Sequence, residues 1–212
     1  MNRDFEFKQL LRAYRGGIIS EATFESEMRA LESGEAMTNG NGAGFRAFGR
    51  AYRTERDAIV SFIDKVRAGE ANGGEAFSRW AEVCTTDCIR SGIRMIAERE
   101  AYHSRIFAKR LEELGGECRA ETTEDGRKFT EYLGNPSIPD REKLLSFTKR
   151  VGKPEDAIKP ICDFQASLKE DLGTKEALRL FAEDELSSTK WLWDACAALN
   201  APKQEGAPAM MN

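Results

Sequence analysis

Between residues 86 and 114 the apolar side chains recur in steps of four and three. Ile89, Ile93 and Ile96 open the series, and Phe107, Leu111 and Leu114 close it. Such a stripe covers one face of an α-helix and must be buried against another element. The same steps run through Glu100 and His103, the one histidine of the chain. A core stripe broken by a carboxylate and an imidazole needs partners for both, because burying either alone costs several kcal/mol.

Other segments repeat the pattern. Residues 174–199 carry Leu178, Phe181, Glu185, Ser188, Leu192, Ala195 and Leu199 on one stripe, starting from a capping Thr174. Residues 44–68 give Phe48, Tyr52, Glu55, Ile59, Phe62 and Val66, with Glu55 as the lone acid, and this helix is expected to end before GEANGG. A short helix is expected around 77–84. Residues 154–171 give Glu155, Ile158, Cys162 and Gln165, with Pro160 inside. The long helix from a cap at Thr86 stops at Gly115-Gly116. A loop then leads to a helix over 141–151. No alternating strand pattern stands out, so the expected class is all-α, an antiparallel four-helix bundle with additional short helices and no sheet.

The long helices also repeat internally. IRMIAERE (93–100) aligns without gaps over LRLFAEDE (178–185) at an offset of 85. Glu100 then pairs with Glu185, and His103 with Ser188. Asp57-Ala58-Ile59 echoes Asp156-Ala157-Ile158. Each half reads as one helical pair.

Composition narrows the classes. Charged residues make up 32% and hydrophobic ones 41%, and the net charge is −4. No dense Lys/Arg cluster marks a nucleic-acid footprint. No apolar run approaches the ~20 residues of a membrane span, and the acidic N-terminus is unlike a signal peptide. The five cysteines are odd in number and form no CxxC pair. Reduced thiols in a cytoplasmic protein are the simplest reading, with Cys84 and Cys88 as small buried hydrophobes or, in the minority reading, a redox switch.

One glutamate on each outer helix and Glu-x-x-His on each inner one is the donor set with which a four-helix bundle holds two metal ions. Spacing i, i+3 sets both donors on one face. On these residues the chain over 45–199 resembles the ferritin-like superfamily, rubrerythrin-type proteins above all. The resemblance implies iron or manganese held by Glu55, Glu100, His103, Glu155 and Glu185, with Asp163 as a fallback for Glu155. It also implies oxygen or peroxide chemistry of the oxidoreductase class. Ser188 stands where the second histidine belongs, which puts the second metal position in doubt. The competing reading keeps the fold without metal: His103 is hydrogen-bonded to a carboxylate such as Glu100, and the protein acts by binding or assembly. Trp191 and Trp193 are expected in the core, and Tyr102 on a neighbouring face.

Residues 1–33 stand apart. GGIISEATFESEMRAL resembles the two-helix SHOCT module, which implies an oligomerisation or partner-binding hairpin without chemistry of its own. GEAMTNGNGAG (34–44) reads as a flexible linker, and 200–212 as a disordered tail. A homo-oligomer is expected, with a further protein partner through the hairpin.

Overall fold

The computed structural model describes residues 44–201 together with Leu11, Tyr14, Glu21, Phe24, Glu25, Met28 and Arg29. Most of the SHOCT-like hairpin, the linker and the tail therefore lie outside the described residues. Tyr14 and Phe24 stack with ring centroids 4.8 Å apart.

The described chain is dominated by helix. After strands β1 (Phe45–Ala47) and β2 (Arg50–Tyr52) come α1 (Glu55–Val83), α2 (Asp87–Glu113), α3 (Glu124–Leu133), α4 (Asp140–Val151), α5 (Pro154–Ser167) and α6 (Leu172–Asn200). No helix among the described residues is long and apolar enough to cross a membrane.

Several expectations need correction. Residues 45–52 form an antiparallel ribbon, Phe45 opposite Tyr52, instead of the first turns of a helix. Phe48 and Gly49 form the turn with φ of 53° and 74°, the double left-handed geometry that closes a tight hairpin. Phe48 tolerates that backbone because its ring is held between Phe62 and Phe164, with centroids 4.9 and 5.0 Å away. A helix, α3, lies where a loop was expected. Helix α5 ends at Ser167 rather than 171.

The largest correction concerns GEANGG. Helix α1 runs through it unbroken for 29 residues and absorbs the separate helix expected at 77–84. Gly73 and Gly74 face α2 at close range. A Cβ on Gly74 would lie 3.1 Å from Ala101 N and 3.3 Å from Ala97 O. Each glycine costs roughly 1 kcal/mol of helix propensity against alanine. Close helix contact offsets that cost, so the pair is a packing notch and not a stop. By contrast, Gly115-Gly116 does end α2. Gly115 is left-handed at φ 63°, and Gly116 N–H donates to Leu111 O at 2.9 Å while Gly115 N–H donates to Glu112 O at 2.8 Å. This is the double bond of a Schellman stop.

Gly74 against Ala101, and Gly116 against Val60, run α1 and α2 antiparallel. Arg99 against Ser188 and Arg110 against Thr174 run α2 and α6 antiparallel. Ion pair Glu155–Lys190, at 3.2 Å, starts α5 down the side of α6. The interior divides along its length. One apolar cluster joins Phe77, Trp80, Ile89, Ile93, Leu133, Leu144 and Leu192. The other joins Ile59, Phe62, Phe107, Phe164, Leu178 and Phe181, with the β-ribbon packed on it. Trp191 packs on Gly92, while Trp193 is 36% exposed and is not the core residue expected.

Candidate metal centre

A polar layer separates the two apolar clusters. It is built from Glu70 on α1, Glu100 and His103 on α2, and Glu185 on α6. One donor atom each from Glu70, His103 and Glu185 lie within 4.8 Å of one another. Glu70, Glu100 and His103 are buried, and Glu185 is partly so.

Glu100 and His103 share a face through their i, i+3 spacing. The Glu100 carboxylate lies in the notch of α1: a Cβ on Gly73 would fall 2.3 Å from its Oε2. Its charge and that of Glu70 bear directly on one another. His103 Nδ1 is 3.2 Å from Glu70 Oε2 and 3.5 Å from Glu185 Oε1. Its other nitrogen, Nε2, is 3.1 Å from Asp184 Oδ2. With a proton on Nε2 donated to Asp184, the Nδ1 lone pair points at the carboxylates. That is the tautomer a metal-ligating imidazole adopts, its far N–H held by an acid. The Phe181 ring meets the imidazole edge-on at 4.9 Å.

The electrostatics are strained. Removal from water pushes Glu70 well above the ordinary carboxylate range, and the charge of Glu185 adds to the rise. Glu100 is pushed up for the same first reason, reinforced by Glu70 and Glu185. Burial alone would lower the His103 imidazole, but the Glu185 and Asp184 carboxylates outweigh it and hold it above its usual value. Glu185 Oε1 is buried, and the one polar partner given for it is His103 Nδ1 at the long distance of 3.5 Å. A buried carboxylate oxygen with so distant a donor is costly, and a proton or a cation would offset the crowded negative charge.

Two residues assigned to the site by sequence lie elsewhere. Glu55 is buried, but it starts α1, fifteen residues before Glu70, or about 22 Å along the helix axis. Its carboxylate accepts N–H bonds from Lys169, Glu170 and Asp171 at 2.8–2.9 Å. Burial would raise its pKa, and these donors bring it below the ordinary value. Glu155 is exposed at the start of α5 and pairs with Lys190. Asp163 pairs with Lys159 at 2.7 Å. Helix α5 thus supplies none of the four clustered groups. Ser188 is buried, and its hydroxyl accepts from Arg99 Nη1 at 2.8 Å.

Glu70 was missed because the helix was ended at GEANGG. The signal was present. Steps of four and three run Phe62, Val66, Glu70, Gly73, Phe77, Trp80 without a slip, so the periodicity crosses the glycines intact.

Comparison of the chain with family models, with curated proteins and with solved structures finds no match in any of the three.

Proposed function

We propose that the mid-bundle cluster is a carboxylate–histidine metal centre of ferritin-like type, and that the protein is a metalloprotein of the oxidoreductase class. The observation that carries this reading is the donor set: Glu70, His103 and Glu185 bring donor atoms within 4.8 Å of one another from three helices, with Nδ1 facing the carboxylates and Glu100 interacting with all three. Hard anionic oxygens with one imidazole suit iron or manganese. One ion is favoured over two, because the cluster has a single imidazole and Ser188 offers only a hydroxyl already engaged by Arg99.

Such an ion, when bound, supplies one-electron chemistry towards oxygen or peroxide. The chain's own residues prepare the place for it. Asp184 fixes the imidazole tautomer. Its side chain is 46% exposed and so joins the buried imidazole to solvent as a proton exit. Glu70 and Glu100 hold protons in the metal-free state and release them as a cation binds. The two apolar clusters keep bulk water from the layer between them. The hairpin over 1–33 serves assembly in this reading, and the protein is a cytoplasmic homo-oligomer.

Elemental analysis of freshly purified protein tests the proposal. About one iron or manganese per chain is expected, and His103→Ala should lower metal content and melting temperature together. If neither ion is present, neither stabilises the protein when added, and His103→Ala changes nothing, the metal reading falls. The bundle is then a binding scaffold whose buried acids are satisfied by protons.

A further inference from the structure

The internal repeat sets Ser188 opposite His103, yet the two ends of that pairing are not equivalent. His103 faces the carboxylates. Ser188 faces Arg99, whose Nη1 donates to Ser188 Oγ at 2.8 Å and to the Asp184 carbonyl at 3.2 Å. Asp184 and Ser188 flank Glu185 on α6, so both anchors hold the guanidinium against the turn that carries the Glu185 carboxylate. Arg99 directly precedes Glu100 on α2 and is half-buried. It is permanently charged. A fixed cation is therefore anchored on the turn of α6 that carries Glu185, by the residue that the repeat sets in the place of a second imidazole.

Resting on the metal reading above, we infer that Arg99 is a positioning residue that restricts the centre to a single metal ion. Its anchored guanidinium uses the Ser188 hydroxyl and supplies in fixed form the positive charge that a second ion would bring. Two consequences follow from electrostatics. A second divalent cation is repelled and lacks a ligand. The one that does bind meets one positive charge it must work against, so removing that charge tightens binding.

Mn2+ alone is the probe, titrated into the full chain after chelation, with stoichiometry and affinity read by calorimetry and by the free-ion electron paramagnetic resonance signal. Wild type should bind about one ion. Arg99→Gln should bind it on the order of tenfold more tightly, Ser188→Ala about threefold more tightly because the guanidinium loses its anchor, and Arg99→Lys within about twofold of wild type. Ser188→His alone should still bind about one ion, and Arg99→Gln combined with Ser188→His about two. Helix loss in a variant would weaken binding, so tightening is a readout that a merely structural Arg99 does not give. The inference is overturned if Ser188→His alone takes two ions, if the double variant stays at one, or if Arg99→Gln binds no more tightly than wild type. Should Arg99→Gln fail to fold, Ser188→Ala decides, and unchanged or weaker binding overturns the inference. Wild type that binds neither Mn2+ nor, in the same titration, Fe2+ removes the metal reading itself and this inference with it. A bound wild type with unresponsive variants removes the inference alone.

Discussion

Buried carboxylates occur at the two ends of the bundle and in its middle, and they are compensated in opposite ways. At one end Glu55 accepts three backbone N–H bonds from the segment that leads into α6. At the other, Asp140 accepts from Trp80 Nε1 and from the backbone and hydroxyl groups of both Thr85 and Thr86, at the start of α2. Burial would raise Asp140, but these donors bring it down to about 2. In the middle, Glu70 and Glu100 find no such donors and are pushed up. The difference lies in the helix. Backbone N–H groups are free in the links that lead into a helix and in its first turn, where the dipole also favours an anion. Mid-helix they are spent on the i−4 carbonyls, so a carboxylate there must share a proton, meet an imidazole or bind a cation. The ends of this bundle are locks, while the carboxylates of its middle crowd one another.

The largest expected effect breaks a lock. Asp140→Ala leaves the Trp80 indole and the Thr85 and Thr86 amides just before α2 without their acceptor. It should cost about 3–5 kcal/mol, and Glu55→Ala somewhat less, at about 2–4 kcal/mol. Urea unfolding monitored by circular dichroism measures both. A loss below about 1 kcal/mol for Asp140→Ala would remove the contrast on which the comparison rests.

A second test uses pH on chelated protein. Asp140 is depressed from 3.8 to about 2. Its contribution is present above the ordinary value and disappears as pH falls from about 4 through 2, a loss of about 2 kcal/mol. Glu70 and Glu100 are raised. Their contribution is present below the ordinary carboxylate value and disappears as pH rises above it. Metal-free protein should therefore lose stability towards neutral pH, and Glu100→Gln should recover about 1–2 kcal/mol there. Added Mn2+ should reverse the loss in wild type and not in Glu100→Gln. A metal-free stability curve that only climbs from pH 4 to 8, unaltered by Glu100→Gln, would show the middle to be as well satisfied as the ends.

Gly73→Ala separates packing from charge. The new methyl meets the Glu100 carboxylate at 2.3 Å, while alanine gains helix propensity of about 1 kcal/mol. Stability should change by less than about 1 kcal/mol, and metal content should fall at least severalfold. Unchanged metal content would mean that the notch serves helix contact only.

The smallest effect on the bundle is expected from removing residues 1–40. Helicity per residue and melting temperature should stay close to those of the full chain, while the mass in light scattering changes by more than the residues removed. A mass lower by those residues alone would deny the hairpin its assembly role.

Much of this was legible along the chain. Steps of four and three marked the long helices, and the polar interruptions at Glu100, His103 and Glu185 marked the layer in which they meet. Gly115-Gly116 announced the end of α2. These are local signals, because helix period and caps depend on residues a few positions apart. The rest was decided by groups far apart in sequence. Glu55 and Glu100 both interrupt apolar stripes, and nothing in their neighbourhoods tells a lock from a ligand. The partner of Glu55 lies 114 residues away at Lys169, where the link just before α6 leaves backbone amides free to receive it. Gly73 reads as a stop until a second helix is packed against it. Only tertiary contact determines whether a missing side chain ends a helix or makes room for the carboxylate of another, since the packing gained must outweigh a local cost of about 1 kcal/mol.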